Sequence, residues 1–252
     1  MLLHRIILMG STIIILIIFL GLGLNYPISA GLTAIIVMGI YFTLSVWRSK
    51  KRINLLDEEC DPEAFLQRTE KQAKIIEKNP KLAEYIAISL SAGLMCKGEF
   101  NRAKDILLDI DEEKILKNRT IMLAYTINLI ICCYELGDIM QAERLFETQI
   151  ALLQPLGKRQ QQYIKLLIGG RYFYLGKYEE SYEYFMQLLK DKTNYSKREY
   201  LYILYSLAQI EEIKGNSEAA KLKYKRIAAK GNKLWIAIQS AEKLSKMMGM
   251  NS

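Results

Sequence analysis

The side chains that could do chemistry are few and poorly placed for it. The chain has one histidine, His4, so the sequence beyond residue 53 has no imidazole to ligate zinc or to activate a serine or cysteine. The four cysteines, Cys60, Cys96, Cys132 and Cys133, form no C-x-x-C pair. In a chain that is neither short nor cysteine-rich, they are expected as free, mostly buried thiols in a reducing compartment. Cys132 and Cys133 fall in an apolar stretch of helical character, where neighbouring side chains diverge, so two core thiols are favoured over a redox pair. Acids occur in pairs at Glu58-Glu59, Glu112-Glu113, Glu179-Glu180 and Glu211-Glu212. Acid–base work needs burial or opposition across a cleft, whereas first-turn and solvent-face roles suffice for these. No phosphate loop, dinucleotide fingerprint or H-E-x-x-H helix occurs, and Gly169-Gly170 falls mid-helix, where it favours close packing. The expectation is therefore a protein with no cofactor, no metal site and no catalytic residues.

The charge distribution divides the chain. Residues 6–47 carry no charged side chain, and residues 1–52 hold Arg5, Arg48, Lys50, Lys51 and Arg52 with no acid. The remainder carries 30 basic and 27 acidic residues, so most of the net +8 sits beside the apolar stretch. Residues 6–24 form one apolar run, whose 19 residues would rise about 28 Å as helix, close to the hydrocarbon thickness. Asn25, Tyr26 and Pro27 interrupt it, and residues 28–47 form a second run with Tyr41 and Trp47 towards its end. A second span and a stop-transfer cluster follow the first run, which argues against a cleaved signal peptide. Small residues at Ala30, Gly31, Ala34 and Gly39 would permit close approach of the spans. Basic residues beside a span stay on the cytoplasmic side. The expected placement is thus a multi-pass anchor, residues 1–52, in the cell membrane, with both termini and residues 53–252 cytoplasmic. Arg48, Lys50, Lys51 and Arg52 are candidates for contact with anionic lipid, and Cys60, just past the cluster, is a natural site for thiol-labelling tests of sidedness.

The rest of the chain has a rhythm. Gly98, Gly137, Gly176 and Gly215 recur every 39 residues, and five places after each stands a small residue: Ala103, Ala142, Ser181 and Ala220. Each glycine separates two amphipathic stretches; after Gly176, Tyr178, Tyr182, Phe185 and Leu189 mark one helical face. A glycine there can close the first helix through a left-handed residue and let the second fold back. Residues 53–60 are expected as a connector, Asp61-Pro62-Glu63 as a helix start, and Asn79-Pro80 and Pro155 as stops. Residues 234–248 are expected as a last helix that caps the stack.

These residues resemble the tetratricopeptide repeat family. Ile168-Gly169, Tyr172, Leu175-Gly176, Tyr178, Ser181 and Phe185 match its signature, as do Leu207-Ala208, Gly215, Ala220 and Tyr224. The 39-residue step is longer than the family's step of about 34, and only Pro155 stands between repeats. The resemblance implies an all-α chain: the membrane hairpin, then an α-solenoid of helix pairs with a C-terminal capping helix. It also implies a concave face lined by first-helix positions, among them Tyr163, Leu166, Phe173, Tyr174, Tyr202, Tyr205 and Gln209. Tyrosine-rich surfaces suit peptide contacts. Inner positions such as Ile88, Ile127 and Leu166 are apolar, so a clamp for a C-terminal carboxylate is not expected.

The functional expectation is a membrane-anchored, cytoplasm-facing scaffold or adaptor that binds a protein or peptide partner, with the bilayer contacted by residues 6–47. The alternative is a peptide-binding regulatory or sensor protein whose repeats change curvature. The basic stretch after Lys214 suits a solvated face, anionic lipid or an acidic partner, and no groove-reading motif accompanies it to suggest nucleic acid.

Overall fold

A computed structural model of the chain describes residues 2–76, 82–150, 157–191 and 195–249. Every regular element among them is a helix, thirteen in all. The chain divides into two compact units, Met1–Arg52 and Ile53–Ser252.

In the first unit α1 (Leu2–Gly21) leads into α2 (Tyr26–Asp57). Gly23 turns the chain at φ +81°, and the Asn25 side chain caps α2 by accepting from the Ile28 amide at 3.2 Å. Among the described residues α2 is the one helix long and apolar enough to cross a membrane, with 32 residues and an 18-residue stretch of mean hydropathy 1.8. Ile35, Met38, Tyr41, Phe42 and Trp47 lie exposed along it. Over residues 26–47, Ser29 and Thr33, rather than the small residues, are the buried positions; an added Cβ at Gly31 or Gly39 would meet nothing.

The sequence placed the end of this helix at Trp47 and a connector at residues 53–60. Instead α2 runs unbroken to Asp57. Residues 48–57 contain no glycine or proline and are mostly good helix formers, so nothing stops the helix before Cys60, which takes φ +55°. One basic residue also leaves the expected lipid-facing set. Arg52 is 5% exposed, while Arg48, Lys50 and Lys51 are exposed.

The second unit comprises α3 (Pro62–Ile76), α4 (Ala83–Lys97), α5 (Phe100–Leu108), α6 (Glu112–Ile115), α7 (Arg119–Glu135), α8 (Ile139–Thr148), α9 (Lys158–Tyr174), α10 (Tyr178–Lys190), α11 (Lys197–Ile213), α12 (Ser217–Lys230) and α13 (Trp235–Met247). Asp61 caps α3, accepting from the Ala64 amide at 3.0 Å, with Pro62 opening the helix. The stops expected at Asn79-Pro80 and Pro155 lie outside the described residues. The short α6 was not anticipated; Asp111 caps it locally by accepting from the Glu113 amide.

The four recurring glycines all take left-handed backbone, φ +74° to +81°. Each closes its helix by the same pair of backbone hydrogen bonds. At Gly137, its amide reaches Tyr134 O at 3.0 Å while the Asp138 amide reaches Cys133 O at 2.9 Å. α4 packs on α5, α7 on α8, α9 on α10 and α11 on α12. The small residues sit where those pairs touch: Ala103, Ala142, Ser181 and Ala220 are 0% exposed. The Ser181 hydroxyl donates to Gly169 O at 2.9 Å, and a Cβ at Gly169 would come within 2.6 Å of Phe185.

The two ends of the second unit also touch. Asp57 receives Arg159 Nη2 at 2.7 Å and Arg198 Nη2 at 2.8 Å. Lys233 pairs with Asp61 at 3.1 Å and Glu63 at 2.9 Å, and its amide donates to Cys60 O. Cys60 is buried beside Leu201, Tyr205 and Leu234. This stretch of the chain thus occupies surface on α9 and α11 that the sequence left open for a partner.

Candidate binding site

α7, α9, α11 and α13 bring nine residues around one cavity of about 60 Å³: Glu135, Gly170, Phe173, Tyr174, Tyr202, Tyr205, Ser206, Gln209 and Trp235. The local reasons for this convergence are simple. Phe173 and Tyr174 occupy the last turn of α9, just before the left-handed Gly176. Tyr205, Ser206 and Gln209 stand three, four and seven residues after Tyr202, so the four share a face of α11. Trp235 begins α13 directly after Leu234. Gly170 lets the tyrosines approach, since a Cβ there would stand 2.9 Å from Tyr202 Oη.

The walls are rings in defined contact. Tyr205 meets Trp235 edge to face at 5.3 Å, and Phe173 meets Tyr174 likewise at 5.5 Å. Tyr174 is held flat against Tyr134, with 4.8 Å between centroids and 4° between planes. Tyr134 is fixed in turn, because its hydroxyl donates to Glu143, which also takes the Arg171 guanidinium at 2.5 Å. The cavity is therefore pre-formed rather than dependent on loose side chains.

Glu135 is the odd member. It is the last residue of α7, where the helix dipole disfavours negative charge. Burial against the rings pushes its carboxyl up to about 7, and the Tyr174 hydroxyl opposes this by supporting the charged form. Among the described residues, no lysine or arginine pairs with it. Tyr174, Tyr202 and Tyr205 are pushed upward, chiefly by burial and then by charges that include Glu135, so all stay neutral near pH 7.

Five of the seven residues forecast from the repeat register, Phe173, Tyr174, Tyr202, Tyr205 and Gln209, line this cavity. Two do not. Leu166 is 8% exposed and packs with Phe185, Leu188, Ile203 and Leu207, so it is a core residue and offers nothing to a partner. The register placed it inward, but helix α10 covers it. Tyr163 sits apart, its hydroxyl receiving Arg159 Nε at 3.0 Å beside the Asp57 ion cluster. Glu135 and Trp235 went unnoticed in the sequence. The one available signal was that Glu135 is the sole acid between Arg119 and Asp138.

A second concavity, of about 960 Å³, lies between α10, α11 and α12 and the stretch at Glu58 and Glu59. Lys197, Arg226 and Lys230 face Glu58, Glu59 and Asp191 across it. Its mixed signs select no ligand, and Arg226 already lies over the Tyr200 ring. Elsewhere the thiols are inert: all four cysteines are free, and burial, with the neighbouring Cys133, pushes Cys132 up to about 12. No family model matches the chain, and no curated protein or solved structure matches it either.

Proposed function

We propose that the chain is a membrane-anchored interaction module. Residues 6–24 and 28–47 form a two-span anchor, both termini are cytoplasmic, and the second unit is a tetratricopeptide-like array of helix pairs capped by α13. The array binds a protein partner through the surface that opens at the Glu135–Trp235 cavity. The regular left-handed glycines and the buried small residues support the array. The observation that carries the binding reading is the convergence of five register-matched residues on one ring-walled cavity. A rigid aromatic surface gives contact area at low cost in side-chain entropy.

The test is co-purification from native membranes with full-length protein. A Phe173→Ala/Gln209→Ala variant is expected to lose its partner, whereas Met140→Ala, at a residue 87% exposed outside the cavity, is expected to keep it. Equal retention by both variants would place binding elsewhere. The sensor alternative rests on the ion pairs from Asp57 and Lys233, which tie the start of the second unit to its later helices. Ligand-dependent loss of those ties would change the small-angle scattering profile, and an unchanged profile removes the sensor reading.

A further inference from the structure

We infer that the Glu135 cavity takes the ammonium end of a lysine side chain supplied by the partner protein. This rests on the interaction-module reading and names the chemistry by which that surface would recognise its partner.

The cavity holds a carboxylate with no cation assigned to it among the described residues. The Tyr174 hydroxyl bonds to Glu135 but brings no charge, and a buried carboxylate without a counter-charge beside an opening is a place where a cation gains most. The walls suit that cation: Trp235, Tyr202, Tyr205 and Phe173 offer ring surface, and electron-rich faces attract ammonium groups. Ser206 and Gln209 add polar groups at the lining. No fixed positive charge among the lining residues opposes entry.

Charge geometry separates lysine from arginine. An ammonium is a compact point charge that one carboxylate and the surrounding ring faces can meet, whereas a guanidinium presents a rigid planar fork of five donors, and Glu135 already has the Tyr174 hydroxyl on it. The reach of the ligand points to a protein source. Glu135 is half-buried, so a compact charge must be carried in on a slender apolar stem, and the rings grip that stem while the charge meets the carboxylate.

Binding should follow the charge on Glu135. The other titratable groups at the cavity are Tyr174 from α9 and Tyr202 and Tyr205 from α11, all neutral across the working range. A lysine ligand therefore weakens as pH falls through about 7, the range in which Glu135 takes up its proton.

Trp235 supplies the readout. The chain has two tryptophans, Trp47 and Trp235, so full-length protein carrying Trp47→Phe in detergent reports from the cavity alone. The probes are acetyl-Gly-Lys-Gly-amide, its norleucine and arginine counterparts, and n-butylamine. The lysine peptide is expected to change Trp235 emission saturably at pH 8, with affinity about tenfold or more above the norleucine peptide. The arginine peptide is expected to be weaker than lysine, and Glu135→Gln to abolish the preference for lysine. Gln fills the same volume and relieves a buried charge, so this variant should fold. Gly170→Ala, which pushes on the Tyr202 hydroxyl without altering charge, should weaken the lysine peptide severalfold.

Equal binding of lysine and norleucine peptides, unchanged preference in Glu135→Gln, or unchanged affinity in Gly170→Ala would each overturn the assignment. Butylamine binding more tightly than the lysine peptide would overturn the partner lysine in favour of a small-amine site. If the lysine peptide fails while Phe173→Ala/Gln209→Ala still releases the partner, the interaction surface stands and only the lysine is lost.

Discussion

Glu135 is a residue whose environment opposes its charge, and that gives its substitution an unusual sign. Its unfolded-state carboxyl titrates near the ordinary 4.5, and its folded-state carboxyl near about 7. Between those values the folded protein holds the proton more tightly, so stability falls as pH rises through that window and the penalty is complete above it. Glu135→Gln should therefore stabilise the protein at pH 8 by roughly 1–3 kcal/mol, after allowing for partial exposure. At pH 4.5 the difference should vanish. Thermal melts of the two proteins at both pH values check this, and a Gln variant less stable at pH 8 would show that Glu135 has a cation partner in the folded state. Asp57 presents the opposite case. It is 7% exposed and accepts from two guanidinium groups, and it ends α2, where the helix dipole alone would not favour it. Asp57→Ala leaves Arg159 and Arg198 facing each other with no anion between them, although Glu199 remains 3.4 Å from Arg159. The expected cost is about 2–3 kcal/mol, the worth of hydrogen bonds to charged groups, read as a lower melting temperature.

Each helix pair depends on two kinds of position, and substitutions test them separately. Gly137 holds φ +78° with nothing near a would-be Cβ, so Gly137→Ala costs only the left-handed backbone, about 1–2 kcal/mol. Ala220 is 0% exposed at the contact of α11 with α12, and Ala220→Leu forces those helices apart for about 1–3 kcal/mol. Denaturant unfolding of both variants distinguishes them, since overpacking at 220 should also release Tyr224, whose hydroxyl donates to Glu212 at 2.7 Å. These positions were legible because they are local: a glycine ends its own helix, and a small residue marks its own crossing. The helix after Gly176 lies where periodicity put it, with Tyr178, Tyr182, Phe185 and Leu189 all on α10. The cavity was only partly legible for the converse reason. Tyr202, Tyr205 and Gln209 share one helix face and could be forecast from register, but Glu135 and Trp235 meet across a hundred residues of chain, and no spacing rule reaches that far. The continuation of α2 to Asp57 was missed because a change of composition at Arg48 looks like a boundary, whereas the backbone stops only at a breaker. Leu166 was misassigned because helical register gives a direction on its own helix and says nothing of what a neighbouring helix covers.

For the molecule as a whole, the orientation proposed above rests on the placement of charge beside the apolar helices. Arg48, Lys50 and Lys51 are exposed on α2 just past Trp47, and the turn between α1 and α2, residues 22–25, carries no charge. Moving an uncharged turn across a bilayer is cheap, whereas each basic residue resists crossing by about 2.5–3.5 kcal/mol at the bilayer centre. The turn should therefore face outward and the second unit inward. The native thiol nearest the cluster serves poorly to test this: Cys60 is 0% exposed, so a reagent cannot reach it on either side. Leu22, 72% exposed in the turn, and Glu58, exposed after α2, are the better positions. In intact cells a membrane-impermeant maleimide should label Leu22→Cys and spare Glu58→Cys, and permeabilisation should expose the latter. Labelling of Glu58→Cys from outside would reverse the orientation, and it would move any lysine-bearing partner of the Glu135 cavity to the opposite side of the membrane.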